Sequence, residues 1–205
     1  MQPWVIKPLW GGKTVFILGG GPSLKDEDLS LIHNQRVIGV NDAFKLGSWV
    51  DLCWWSDCRW AIWNHEVLSQ YTGIILSCVR CHCQHPHTLT VSRLEGSGIS
   101  ERPDGVKWNR SSGGSAINVA YLLGSKKIVL LGYDMKVVDG QHNWHTNHKF
   151  RPKDTIYNNR FIPPFLEIAK DATRLGIEIL NATKNSALDM FPKVDLKEVV
   201  NGSCY

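Results

Sequence analysis

Three stretches of this sequence combine residues that do chemistry with a spacing that could concentrate them. The first is Gly19-Gly20-Gly21-Pro22-Ser23, directly after the apolar run Thr14 to Leu18. Residues without a Cβ reach positive φ and let main-chain N–H groups approach a phosphate closely. Pro22-Ser23 would then start a turn whose open N–H groups favour an anion. The loop lacks the Lys-Ser/Thr of a P-loop and does not follow the dinucleotide fingerprint, so a plain tight turn is the competing reading. The second stretch, Arg110-Ser111-Ser112-Gly113-Gly114-Ser115, offers hydroxyls, a cation and open N–H groups at a predicted helix start. By itself it equally suits a capped N-terminus. Two such junctions facing one cleft would grip an anionic cosubstrate.

The third stretch runs from Gln141 to His148 and holds His142, His145 and His148. His145 and His148 are three positions apart and would share a face of a helical turn. A neutral imidazole can take the proton of an attacking hydroxyl near pH 7, which makes His145 or His148 the candidate base. The same trio could instead hold a divalent metal with Asp134, and for each histidine alone a surface or structural role competes. A fourth cluster, Cys78, Cys81, His82, Cys83, His85 and His87, has zinc-like crowding but no second Cys-x-x-Cys. It reads as a strand end and loop, and no metal is assigned to it.

These residues need a scaffold. The chain has 205 residues, 43% of them hydrophobic and 20% charged, which suits a single domain over 1–205 and excludes disorder. No apolar run is long enough for a membrane span, and the start Met1-Gln2-Pro3-Trp4 lacks the pattern of a secretory signal. A cytoplasmic protein is expected. The net charge of +4 suits an anionic ligand but indicates no specific nucleic acid.

Short β-rich runs at Thr14–Leu18, Arg36–Val40, Asp51–Trp55, Ile74–Ser77, Lys127–Leu131 and Ile177–Leu180 alternate with helical segments. The helices are expected over Asp26–Ile32, Arg59–Gln70, Ser112–Leu123 and Phe161–Arg174, with a short one from Ser186. In the second of these, Trp60, Trp63 and Val67 are placed on one packed face, though a wall of Trp54, Trp55, Trp60 and Trp63 could also stack on a sugar or base. The pattern predicts an α/β, Rossmann-like, mostly parallel sheet with helices on both faces. Residues 79–109, rich in Gly, Ser and Pro, form an insert over one sheet edge, with short strands at Thr88–Val91 and Val106–Trp108. In such a sheet, ligands bind beyond the carboxyl ends of the strands. That adds Asn41 and Asp42, Asp57, and Asp134 to the candidates.

The order of these motifs resembles a known superfamily. Gly19 to Leu24, Val40-Asn41, Ser112-Gly113, the run Leu123 to Asp134 and the ending Gly176 to Leu188 are similar to the bacterial sialyltransferases of glycosyltransferase family 42. They are equally similar to the DUF115 group, related to archaeal 6-hydroxymethylpterin diphosphokinases and frequent in surface-glycan loci and phage genomes. The sialyltransferase resemblance implies that Gly20, Gly21, Ser23 and Asn41 contact a nucleotide-activated donor. Ser112 and Gly113, with Arg110 nearby, would line the same pocket, and a histidine would deprotonate a glycan or small-molecule acceptor without any required cofactor. Gly19, Asp42, Asp57 and Asp134 complete the expected nucleotide-binding set. The diphosphokinase resemblance implies magnesium, with Asp57 and Asp134 as its carboxylates. A non-catalytic nucleotide-binding role and a homo-oligomer stay open. The chain departs from the sialyltransferases in having Gly20 where an Asn is common, Ser56-Asp57 at the third strand end, and a shorter lid before the histidines.

Overall fold

The computed structural model describes residues 2–81, 85–145 and 153–202. Seven strands form one parallel sheet: β1 (Thr14–Leu18), β2 (Arg36–Val40), β3 (Leu52–Trp55), β4 (Ile74–Ser77), β5 (Leu89–Thr90), β8 (Lys127–Leu131) and β9 (Glu178–Asn181). Their order is β5-β4-β3-β2-β1-β8-β9. The chain builds outward from β1 in one direction, then returns to lay β8 against its other side. The strand order therefore reverses between β1 and β8, where a crevice opens at the strands' carboxyl ends in this fold class.

The strands are apolar on both faces because both faces are covered. Val15, Ile17, Ile38, Val40, Leu52, Trp54, Ile128 and Leu130 point to one core, shared with helices α2 (Ser112–Leu122) and α3 (Pro163–Leu175). Their neighbours Phe16, Leu18, Val37, Val129 and Leu131 point to the other, closed by 3-10 turns and helix α4 (Leu196–Val200). On that second side Cys53, Trp55 and Ile75 meet helix α1 (Cys58–Leu68) in a third cluster. The two-residue side-chain period of a strand thus divides each apolar run between two layers.

Several sequence expectations change. Asp26–Ile32 is not one helix but lies across two 3-10 turns, Pro22–Asp26 and Leu29–Ile32. Helix α1 buries Trp60, Ala61, Asn64 and Leu68, whereas Trp63 and Val67 are 42% and 44% exposed. The predicted tryptophan wall dissolves, because Trp54, Trp55 and Trp60 are core residues and Trp63 faces outward. No helix starts at Ser186; its hydroxyl donates to the Tyr133 carbonyl at 2.5 Å, and α4 comes later. The expected helix Phe161–Arg174 begins later, at Pro163, and Phe161 instead ends a π-helical turn, Tyr157–Phe161.

The insert is more structured than its composition suggests. Strand β5 extends the main sheet, and β6 (Ser92–Leu94) pairs with β7 (Gly105–Lys107) as a separate parallel ribbon. Asn118, buried in α2, ties that ribbon down. Its Oδ1 accepts from Ser100 N and Lys107 N at 2.8 and 2.9 Å, and its Nδ2 donates to Ser100 O at 2.9 Å. Among the described residues no helix is long and apolar enough to cross a membrane.

Candidate functional site

The carboxyl ends of β1, β2, β3 and β8 carry the candidate residues, and the loop after β8 draws them together. Gly19 N–H donates to Leu131 O and Gly21 N–H to Gly132 O, both at 2.8 Å, so two of the glycine-loop amides hold the loops of β1 and β8 together. Gly21 has no room for a side chain, since a Cβ there would collide with the Asp134 carboxylate. Ser23 Oγ donates to that same carboxylate at 2.8 Å. Asp134 is buried, and desolvation pushes its carboxyl above the usual carboxylate range, against the lowering effect of the Ser23 bond.

The two glycine-bearing junctions meet on one aromatic ring. A Cβ on Gly19 would lie 3.0 Å from Tyr133 Cδ2, and one on Gly113 would lie 3.2 Å from Tyr133 Cε1. Tyr133 is 1% exposed, and its hydroxyl donates to Gly113 O at 3.0 Å. Both junctions therefore converge, but the space directly between Gly19 and Gly113 is filled by tyrosine. A ligand reaching both loops cannot occupy that space.

A strap beneath the β8 loop sets the height of Tyr133. Tyr133 N–H donates to Thr183 Oγ1 at 2.9 Å, and Ala187 N–H donates to Asp134 O at 2.9 Å. Ser111 caps α2 by accepting from Gly114 N–H at 3.0 Å. Ser112 Oγ lies 2.7 Å from Ser56 Oγ, which joins the end of β3 to the start of α2. The buried Trp54 indole reinforces that joint by donating to Ser112 O at 3.0 Å.

At the end of β2, Asn41 has a left-handed backbone, with φ 51°, and its buried Oδ1 has no hydrogen-bond partner among the described residues. Leu18 and Gly39 are register partners on β1 and β2, so Asn41 follows alongside the glycine loop. Asp42, expected in the nucleotide-binding set, faces inward. It accepts from Trp60 Nε1 at 2.9 Å, pairs with Lys45, and lies 3.5 Å from His145 Nε2. The side chains of His145 and Asp42 are 8% and 7% exposed. His145 is thus a buried histidine on a buried carboxylate, reached over the glycine loop by a chain in which Trp144 N–H donates to Gly20 O at 2.9 Å.

His142 is held differently. Its Nδ1 lies 3.2 Å from Tyr157 Oη and its Nε2 lies 3.5 Å from the exposed Asp154. Burial, Asp134 and Asp154 push the Tyr157 phenol up to about 12, so it remains a donor at neutral pH. In the sequence the Tyr157 contact leaves no signal beyond an aromatic just before an expected helix. His148 lies outside the described residues, as do His82 and Cys83.

Two further candidates have other local roles or settings. Asp57 caps α1, accepting from Arg59 N–H at 2.9 Å and pairing with the Arg59 guanidinium at 3.0 Å. Arg110 is exposed, with φ 55°. Among the described residues no three His, Cys, Asp or Glu side chains come together to hold a metal ion. Each of the two carboxylates expected for magnesium has a protein partner, Arg59 for Asp57 and Ser23 for Asp134.

No protein-family model matches the chain, and no curated protein does. Among solved structures, the chain is similar to the sialyltransferase CstII from Campylobacter jejuni in complex with a substrate analogue, cytidine-5'-monophosphate. The identity is 19% and the TM-score 0.56, over 90% of this chain and 85% of that one. It is also similar to a sialyltransferase CST-II structure in complex with a trisaccharide acceptor and CMP. There the identity is 20% and the TM-score 0.52, over 89% and 86% of the two chains. What is shared at this identity is the fold.

Proposed function

We propose that this chain is a glycosyltransferase-like enzyme that moves a sugar from a nucleotide-activated donor to an acceptor hydroxyl. The observation that carries this reading is Asn41. A buried acceptor left without a partner costs about 1–3 kcal/mol, and a non-glycine residue in the left-handed region adds strain. Both features fall on one residue at a strand's carboxyl end, beside the glycine loop. A ligand donor group, such as a base amine or a ribose hydroxyl, would satisfy that oxygen. The similarity in fold to two CMP-bound sialyltransferase structures supports the same reading and makes a cytidine nucleotide the first donor to test.

In this reading the Gly20 N–H and the open N–H groups of the α2 start face the donor phosphate, with Ser112 Oγ beside them. Ser23 and Asp134 fix the loop from below. His145 takes the acceptor proton in a direct displacement. Asp42, 3.5 Å from Nε2, favours the tautomer protonated there and stabilises the imidazolium that forms. Because His145 is 8% exposed, the acceptor reaches it only when the histidine loop lifts from the end of β2.

The test is donor turnover with CMP-, UDP- and GDP-sugars, for the wild type and for His145→Gln. One donor class should be consumed, and the variant should bind it normally while turning it over about 10²–10⁴-fold more slowly. Equal turnover by both proteins would remove His145 from the chemistry. No turnover or binding of any donor would remove the enzyme reading.

A further inference from the structure

Beyond the donor site, one side of the molecule carries a cationic platform. Trp108 sits four residues before Ser112. The Arg93 guanidinium lies over its ring, with Cζ 3.6 Å from the centroid, and the Arg160 guanidinium lies 5.5 Å from the same ring. Arg93 comes from β6 and Arg160 from the π-helical turn, so two distant segments deliver cations to one indole. One guanidinium on a tryptophan is an ordinary cation–π contact. A second on the same ring gathers two like charges around one indole. Arg93 is 3.8 Å from Glu95, whose side chain is 81% exposed. Lys107 also reaches that segment through the Glu95 carbonyl at 3.0 Å. No carboxylate pairs with Arg160 among the described residues.

The platform is joined along the chain to two parts of the candidate site. Trp108 leads into the α2 start, and its carbonyl accepts from Ser111 N–H at 3.4 Å. Arg160 follows Tyr157 by three residues, and the Tyr157 ring stacks on His142 at 5.8 Å. π-Helical turns recur at functional positions because the extra residue re-aims the side chains. Here the turn presents Arg160 to Trp108 and Tyr157 to the histidine loop.

We infer that Arg93, Trp108 and Arg160 form a subsite for an anionic group, a carboxylate or phosphate, on the acceptor sugar. The guanidinium forks supply paired N–H donors matched to such oxyanions, and a neutral sugar would leave the excess charge unmatched. The word acceptor rests on the transferase reading; the anion site does not.

The test follows the Trp108 indole N–H signal, assigned with Trp108→Phe, as glucuronate, glucose 6-phosphate, glucose or sodium chloride is added to the nucleotide-free protein. Glucuronate, glucose 6-phosphate or both should move the signal saturably, and which of them does so identifies the group. Glucose and salt at equal ionic strength should not. An Arg93→Gln/Arg160→Gln variant should bind at least tenfold more weakly, as should Arg160→Gln alone if the double variant is misfolded. Shifts no larger than those from salt, or unchanged affinity in a folded variant, would overturn the proposal. A parallel CMP titration read at Gly20 and Asn41 separates the two claims, since either site can respond without the other.

Discussion

Asn41, His145 and Asp134 show how residue type and residue role part company. Asn41, at the end of a strand, and His145, in the loop beyond one, were legible as candidates because position in a parallel sheet is itself a signal. The partners were not legible: nothing local says that Asp42 turns toward His145 and Trp60, contacts 103 and 18 positions away in sequence. Asp134 gives a test at this scale. Its folded carboxyl titrates above the unfolded one because burial disfavours the charge. The folded state therefore holds more protons than the unfolded state between the two values. This contribution to stability is complete below the unfolded pKa and is lost as pH rises through the folded one. Asp134→Asn should lack this dependence. Urea titrations of both proteins from pH 3.5 to 7 should show the wild type losing stability relative to the variant as pH increases.

At the scale of elements, the glycine loop was read as a phosphate cradle, yet much of its glycine requirement comes from protein neighbours. Gly21 lies against Asp134, and Gly19 against Tyr133 and the Gly132 carbonyl, 2.5 Å from a notional Cβ. Contacts between loops of β1 and β8 cannot be read from either loop alone. Gly21→Ala should shift the Asp134 side chain and cost about 1–3 kcal/mol, the range for overfilling a packed position. Thermal and urea unfolding would measure it, and nucleotide binding should weaken with it. The insert offers a cleaner case. Asn118→Ala removes three hydrogen bonds and leaves Ser100 and Lys107 main-chain groups unpaired, a loss of about 3 kcal/mol. Urea unfolding should show that loss, with hydrogen exchange accelerating first in Ser92–Lys107. A strand near Val106 was legible, but its partner Ser92–Leu94 and their pairing were not, because an asparagine in a helix further along the chain holds them in place.

For the whole molecule, the sheet was the most legible feature. Apolar runs such as Thr14–Leu18 and Lys127–Leu131 are bounded by glycines and split between two cores, so strand identity survives without knowledge of tertiary contacts. The reversal of strand order between β1 and β8 then brings the glycine loop, Asn41, the α2 start and the histidine loop to one end. We propose that this end binds a nucleotide and that the Asn41 amide is part of the binding surface. Calorimetric titration of CMP into the wild type and into Asn41→Ala tests it most directly. Saturable binding by the wild type, weakened at least tenfold in a variant that unfolds at the same or higher temperature, is the predicted result. Failure of CMP, UMP, GMP and AMP alike to bind the wild type, or equal CMP affinity in the two proteins, would contradict it.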